Sequence, residues 1–241
     1  MKLLLTLAAV ILLFLCAWNG YKKGLILGVL SLIAFIVSVY AADLLSTTYS
    51  YEVINALRPF ASGYLETSVN SEVRQSFGIE GSTTASLSVA DYLEAHPEDA
   101  ELFCSRTYEA VGIYTPTAAQ MAKEAQDYAT QQDTTVENAM VEVLCQRVTY
   151  AAGFILAFLM VIIAITVIGS LPNLGFKIPN LELLNDIGGL VTGVLQGLAL
   201  WAVFCWVLKF TGLLIPQDML AENALTAIMM QMDPLHAFLG I

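Results

Sequence analysis

Charged side chains are scarce in this sequence. Only 13% of its 241 residues are Asp, Glu, Lys or Arg, whereas roughly a quarter are charged in an ordinary soluble domain. Hydrophobic residues make up 57% of the chain, and the mean hydropathy is +0.70. This composition excludes an ordinary soluble domain and predicts an integral membrane protein.

The sequence also lacks the motifs of familiar catalytic sites. It has no P-loop, no Gly-x-Gly-x-x-Gly and no Cys-x-x-Cys. Its two histidines, His96 and His236, lie far from any Gly-x-Ser-x-Gly pattern. His96 has three carboxylates nearby, but Glu94, Glu98 and Asp99 at this spacing are more typical of a solvated helix start than of a metal site. We predict no enzyme activity, no cofactor and no metal.

Four uncharged segments are long enough, or nearly so, to cross about 30 Å of hydrocarbon. They are residues 3–18, 24–42, 148–172 and 187–208. The first follows Lys2 as an export signal would, but it has no Ala-x-Ala cleavage site, so we predict an uncleaved hairpin. The domains expected are therefore a transmembrane hairpin (1–48), an intervening cap (49–146), a second transmembrane hairpin (147–210) and an amphipathic C-terminal tail (211–241).

Basic residues set the expected orientation. Lys22 and Lys23 lie in a predicted five-residue turn between the first two spans, and such residues in short loops stay on the cytoplasmic side. Lys177 lies in the short loop between the last two spans. We therefore expect a protein of the inner (plasma) membrane whose two termini and residues 43–146 are extracytoplasmic.

The segment from 43 to 146 is strongly acidic. It contains 16 Asp and Glu against four Lys and Arg, which argues against nucleic acid or anionic lipid as its ligand. Its patterns predict helices: a short one that ends near Pro59, one opened by Thr115 and Pro116, and one that starts with the capping-box spacing of Thr134 and Glu137 and runs into the third span. We expect a helical cap.

Each residue of an α-helix turns by about 100°. At this angle, small residues fall on one face of each of three spans. These faces are Gly24, Gly28, Ser31, Ser38 and Ala42; Gly153, Ala157, Met160 and Ala164; and Asp186, Gly189, Gly193, Gln196 and Gly197. Such faces let helix backbones approach closely, so they predict bundle packing or a partner interface, with a small polar permeation path as the alternative. Gln196 is placed to hydrogen-bond across the bundle. Asp186 lies at the start of the fourth span, where the positive end of the helix dipole stabilises a carboxylate.

The four cysteines leave one question open. Cys16 and Cys205 fall in predicted spans, whereas Cys104 and Cys145 both fall in the segment placed outside. These two are either a disulfide that clamps the cap onto the third span or two buried free thiols.

Three stretches resemble the colicin V production protein family. "NGYKKGLILGVLSLIAF" from Asn19 is similar to the family's first cytoplasmic turn and second helix, where Gly20, an aromatic residue, basic residues and a second glycine introduce the span. "KIPNLELLNDIGGLVTGVLQGLAL" from Lys177 resembles the family's second signature, which is an acidic residue followed by glycines four positions apart. "LAENALTAIMMQMDP" from Leu220 is similar to the closing amphipathic segment. A register with Asn185 at the acidic position, instead of Asp186, also fits the glycine spacing.

The resemblance implies an inner-membrane protein required for production of a secreted peptide toxin or associated with envelope homeostasis. We therefore expect an all-α fold, a four-helix membrane bundle with a helical extracytoplasmic insertion between spans two and three. The expected function is that of a non-enzymatic scaffold or accessory factor, and the alternative is a small transporter or channel component. The expected partners are the lipid bilayer and, in addition, either a membrane or envelope protein or a second copy of the chain. No nucleic acid is expected to bind.

Overall fold

The computed structural model describes residues 2–68, 73, 76–77, 89–170, 182–212 and 224–232. Lys177 and His236 lie outside these residues, as does most of the predicted C-terminal tail. Most of the described residues are helical and none of them is in a strand, which confirms the all-α class for this part of the chain. The helices are α1 (Lys2–Ser68), α2 (Val89–Ala95), a 3-10 turn (Pro97–Asp99), α3 (Ala100–Ala110), α4 (Thr115–Gln132), α5 (Val136–Ser170), α6 (Glu182–Thr211) and α7 (Ala224–Met232).

Three of these helices are long and apolar enough to cross a membrane. The qualifying stretches are Leu5–Thr67, Val136–Val167 and Leu183–Thr211. The first is 63 residues long, which at about 1.5 Å per residue is about three times the thickness of the hydrocarbon layer. One straight crossing therefore cannot accommodate it.

The backbone of α1 breaks at Gly24. This residue has φ +79° and ψ 175° inside an otherwise helical run, a region that only glycine enters without a steric penalty from Cβ. The predicted five-residue turn over residues 19–23 is wrong, because these residues complete the first helical segment and the change of direction occurs at Gly24 alone.

The chain divides into two compact units. One comprises residues 1–47, 153–207 and 217–241, and the other comprises residues 48–152 and 208–216. We call them the apolar unit and the acidic unit.

The apolar unit exposes many large apolar side chains and buries small residues along one face of α1. The first segment of α1 exposes many large apolar residues, including Leu7, Val10, Ile11, Phe14 and Leu15. Its second segment buries a stripe at three- and four-residue spacing that contains Gly24, Gly28, Phe35, Ser38 and Ala42. This distribution is typical of helices in lipid, where small residues allow close packing and apolar side chains contact acyl chains.

The other helices of the apolar unit pack through rings and small residues. Phe35 of α1 meets Phe158 of α5 edge to face, with ring centroids 5.6 Å apart. The predicted small face of α5 is buried at Ala157 but not at Met160, which is 63% exposed. α7 packs through Leu225 and Met229 on a cluster formed by Ala9, Trp201 and Cys205.

The acidic unit has a hydrophobic core of its own. Phe103, Tyr108 and Met121 are fully buried in it, and the Tyr108 hydroxyl donates a hydrogen bond to the Met140 carbonyl at 2.9 Å. Burial raises the pKa of this phenol well above its ordinary value. A core supplied by α1, α3, α4 and α5 makes this unit a folded helical domain.

Two helix predictions in the acidic unit hold and one is wrong. α4 begins at Thr115, and α5 continues unbroken from Val136 to Ser170. The helix predicted to end near Pro59 instead continues to Ser68. Proline removes one helical hydrogen bond, and the burial of Ile54 and Ala61 on either side holds the helix through it.

Candidate functional site

The candidate site is the interface between α6 and the two segments of α1. Residues 13–20 contact α6 in descending order: Gly20 lies against Gly189, Cys16 against Gly193 and Leu13 against Gly197. Descending order means that this first segment of α1 runs antiparallel to α6.

The second segment of α1 contacts α6 in ascending order. Gly24 lies against Asn185, Gly28 against Thr192, and Ser31 against Gln196. This segment is therefore parallel to α6, and the chain reverses direction at Gly24. The predicted packing residues of both α1 segments meet those of α6 at this one interface.

Glycine is required at this interface because backbone meets backbone. A Cβ added to Gly193 would lie 3.0 Å from the Cα of Gly20, and one added to Gly20 would lie 2.7 Å from the Cα of Gly193. A Cβ on Gly189 would lie 2.8 Å from the Cα of Gly24. Backbone atoms cannot move aside as the end of a flexible side chain can, so any larger residue must separate the helices.

Asn185 satisfies a backbone donor released by the break in α1. The N–H of Leu25 begins the second segment, and the first N–H groups of a helix have no partner within it. It donates to Oδ1 of Asn185 at 3.0 Å, and Asn185 is only 7% exposed. A Cβ on Gly24 would lie 2.7 Å from this Oδ1. Gly24 is therefore needed both for its positive φ and for the space that the cap occupies.

Hydroxyl and amide groups continue the contact toward the other end of α6. The Ser31 hydroxyl donates to the Gly28 carbonyl at 2.8 Å and lies 3.1 Å from Oε1 of Gln196. The Thr192 hydroxyl donates to the Gly189 carbonyl at 2.9 Å, which keeps its polar group satisfied in a buried position. These contacts suit helix packing, since they provide short interhelical distances and direct hydrogen bonds.

Replacing Asn185 with leucine should destabilise the apolar unit. The substitution removes the only acceptor described for the Leu25 N–H, and we expect the free energy of unfolding to fall by about 1 to 3 kcal/mol. Asp186→Leu introduces the same side chain one position further on and should cost no more than about 1 kcal/mol. Denaturation of the purified protein by SDS, followed by circular dichroism, measures both. Equal losses in the two variants would contradict the capping role.

The predicted orientation residues lie close to the reversal. Lys22 and Lys23 are exposed in the last turn of the first α1 segment, and the Lys22 ammonium lies 5.2 Å from the centroid of the Trp18 ring. Asp186 is partly exposed in the second turn of α6. Asn185, and not Asp186, therefore provides the described contact with α1.

The two cysteines of the acidic unit are free thiols. Cys104 and Cys145 are both fully buried in its hydrophobic core. Burial raises the pKa of the Cys104 thiol to about 12, so this group stays protonated and unreactive at neutral pH. The sequence left open whether these cysteines form a disulfide or are buried free thiols, and in the structure they are free thiols.

The histidine and carboxylates considered as a metal site are exposed. His96 Nδ1 lies 3.5 Å from Glu98, and the two side chains are 50% and 71% exposed. The nearby Asp99 accepts a hydrogen bond from the Tyr92 hydroxyl at 2.8 Å. Within the part of the chain that the structure describes, no three His, Cys, Asp or Glu residues are arranged to hold a metal ion.

Sequence reasoning missed two ion pairs in the acidic unit. Arg147 contacts Glu124 through two nitrogens, at 2.6 and 3.1 Å, and also donates to the Phe210 carbonyl at 3.3 Å. Arg58 bonds Glu142 at 2.7 Å. The available signal was that Glu142 and Arg147 are charges at the end of a helix predicted to enter the membrane.

The comparisons with known proteins identify the family. The family model described as colicin V production protein matches residues 110–234, more than half of the 241-residue chain. The match covers α4 to α7, including the glycines of α6, while the stretch from Asn19 lies before it. Neither the curated proteins nor the solved structures yielded a match. With its three long apolar helices, this chain is a membrane protein that belongs to the colicin V production protein family.

Proposed function

We propose that the chain crosses the inner membrane four times, at residues 3–18, 24–42, 148–172 and 187–208. The opposite directions of the two α1 segments against α6 support two crossings within the 63-residue apolar stretch. In this arrangement Lys22 and Lys23 are cytoplasmic, and residues 43–146, with their excess of carboxylates, are extracytoplasmic.

The function best supported is that of a non-enzymatic scaffold or accessory factor in toxin production, toxin export or envelope homeostasis. One observation carries this proposal, an exposed apolar stripe on the part of α1 that belongs to the acidic unit. Its members are Tyr49, Val53, Phe60 and Tyr64. At about 100° per residue they fall within an arc of about 60°, and Phe60 is 76% exposed.

Such a stripe fits a protein partner. A folded domain in water rarely exposes several aromatic side chains along one helix face, and aromatic residues dominate the energetics of protein interfaces. The hydroxyl of Tyr64 donates to the Val111 carbonyl at 3.3 Å, which holds this end of the stripe against the end of α3. The partner we propose is therefore an envelope protein that docks on a preformed helix.

Photocrosslinking in living cells tests this proposal. A p-benzoylphenylalanine at position 60 should give one discrete adduct with an extracytoplasmic or membrane protein on irradiation. The same probe at Lys123, an exposed polar position of the same unit, should give none. An adduct of twice the chain mass would assign the stripe to self-association, and an adduct with a cytoplasmic protein would overturn the proposed orientation. The same result at both positions would refute docking on the stripe.

The transporter or channel alternative is less well supported. A solute path along the interface of α1 and α6 would need space where the backbones of Gly20 and Gly193 are in contact. Solute flux through vesicles that contain the purified protein would favour the alternative over the scaffold.

A further inference from the structure

A groove lies on the surface of the acidic unit. It consists of two hollows of about 320 and 410 Å³, and Glu137 lines both of them. Leu93 of α2 lines the first hollow and Val89 lines the second, and these two residues lie about one helical turn apart on the same face. The two hollows therefore form one groove, bounded by α1, α2, α3 and the start of α5.

The floor of the groove is apolar. Phe103 and Met140, which belong to the hydrophobic core of the unit, line the second hollow. Val136 lines the first hollow and Val141 the second, and both valines are only partly buried. An occupant with apolar side chains would remove this surface from water, which is favourable.

Four exposed carboxylates also line the groove. Glu66 lies on α1, Glu94 on α2, Asp133 directly after α4 and Glu137 in the first turn of α5. In the described part of the chain, none of the four has an ion-pair or hydrogen-bonding partner, and no lysine, arginine or histidine lines the groove. The rim of the groove is therefore acidic.

The other charges of the acidic unit do not neutralise this rim. The unit contains 15 Asp and Glu and six Lys and Arg. Three of each form ion pairs with one another, which leaves 12 acidic residues against Arg74, Lys123 and Lys209. The start of α5 adds about half a positive charge. Even if all three cations lay at the groove together with this half-charge, the four lining carboxylates would outnumber them.

We propose that this groove binds a cationic amphipathic segment of another polypeptide. Apolar side chains of the segment lie on the floor at Val136 and Val141, and its Lys or Arg side chains lie at the four carboxylates. Opposite charges across an interface steer association and give specificity. Ser62 and Leu65, which line the groove, lie about 150° around α1 from Phe60. The groove is therefore separate from the aromatic stripe and does not depend on what the stripe binds.

Photocrosslinking of model peptides to the full chain tests the proposal. The probe is a biotinylated amphipathic helical peptide of Leu and Lys, about 14 residues or about 20 Å long. Two matched peptides replace every Lys with Glu or every Leu with Ser. The purified protein carries p-benzoylphenylalanine in place of Asn138, an exposed residue that lines the groove. The crosslinked fraction against peptide concentration gives an apparent dissociation constant, and this readout records only peptide that reaches the groove.

Only the Leu/Lys peptide should crosslink at position 138, because it alone has both the positive charge and the apolar face. The same photoprobe in place of Gln120, an exposed polar position on α4, should give no adduct with any of the three peptides. An equal adduct with the Leu/Glu or the Ser/Lys peptide at position 138 would overturn the proposed chemistry of the partner.

Removal of the lining carboxylates should weaken binding. Glu94→Gln, Asp133→Asn and Glu137→Gln together should raise the apparent dissociation constant by about tenfold. Asparagine also tolerates the left-handed backbone at position 133, where φ is 49°. A matched control removes three carboxylates elsewhere in the unit and should leave the constant nearly unchanged: Glu52→Gln, Glu101→Gln and Asp127→Asn. Equal losses in the two triple variants would assign binding to diffuse charge and refute the groove.

Filling the groove provides a second comparison. Val141→Phe narrows the second hollow and keeps every carboxylate, so it should also abolish the adduct. Circular dichroism melts establish that each variant is folded. An adduct that survives in folded Val141→Phe would place the peptide outside the groove. Absence of any adduct at position 138 in the native background would mean that the groove is closed to a partner.

Discussion

Gly193→Ala should lower the free energy of unfolding of the apolar unit by about 3 kcal/mol, the upper end of the usual range for an overpacked position. The added Cβ would lie 3.0 Å from both the Cα of Gly20 and the carbonyl carbon of Cys16. Both neighbours are backbone, so relief requires the first α1 segment to move away from α6. That movement also weakens the contacts one turn away at Gly189, where the reversal of α1 is packed.

Gly63→Ala is the matched control for this substitution. Gly63 lies in α1 and, like Gly193, is inside a helix. A Cβ added to Gly63 would have nothing within 4 Å. Alanine is the better helix former by about 1 kcal/mol, so this variant should be slightly more stable than the native protein. SDS denaturation in detergent measures both variants. If both gained stability, the close approach of Gly20 and Gly193 would be refuted.

Glu124→Met should destabilise the acidic unit by about 3 kcal/mol. It leaves the Arg147 guanidinium without its carboxylate, and the Arg147 side chain is only 9% exposed. An unpaired buried charge typically costs about 3 to 5 kcal/mol. The lower figure applies because Glu124 is itself 41% exposed, so water can replace part of the lost interaction.

Two comparisons separate a buried charge from a lost surface ion pair. Glu109→Met breaks the pair between Arg106 and Glu109, in which the arginine is 61% exposed, and should cost less than about 1 kcal/mol. Arg147→Met combined with Glu124→Met removes both charges and should be less destabilising than Glu124→Met alone. A double variant that is less stable than the single one would show that the net interaction of the pair, and not the stranded cation, stabilises the fold.

Several features of this protein could be predicted from local sequence. Lipid excludes charge and requires long apolar helices, so the apolar segments and the helical class follow from composition and length. The four-residue spacing of Gly189, Gly193 and Gly197 identified the helix face that packs against α1. The resemblance to the family rested on three stretches, one of which contains the same glycines, and the match over residues 110–234 confirms it.

Other features depended on residues that are distant in sequence. The pairing of Leu25 with Asn185 joins residues 160 positions apart, and that of Arg58 with Glu142 joins residues 84 positions apart. Periodicity reports which face of a helix is apolar or small, but it carries no information on which helix lies opposite. The continuation of α1 through Pro59 also depends on residues distant in sequence, because their packed core outweighs one missing hydrogen bond.

The sequence by itself therefore determined that this chain is a helical membrane protein, because the cost of placing charge and unpaired backbone in lipid acts on every segment separately. Only the tertiary structure decided that α1 reverses at Gly24, that Asn185 caps the new helix start and that Arg147 is buried against Glu124. Each of these features requires two distant backbones to meet at a defined distance and register, and that is a property of the packed fold.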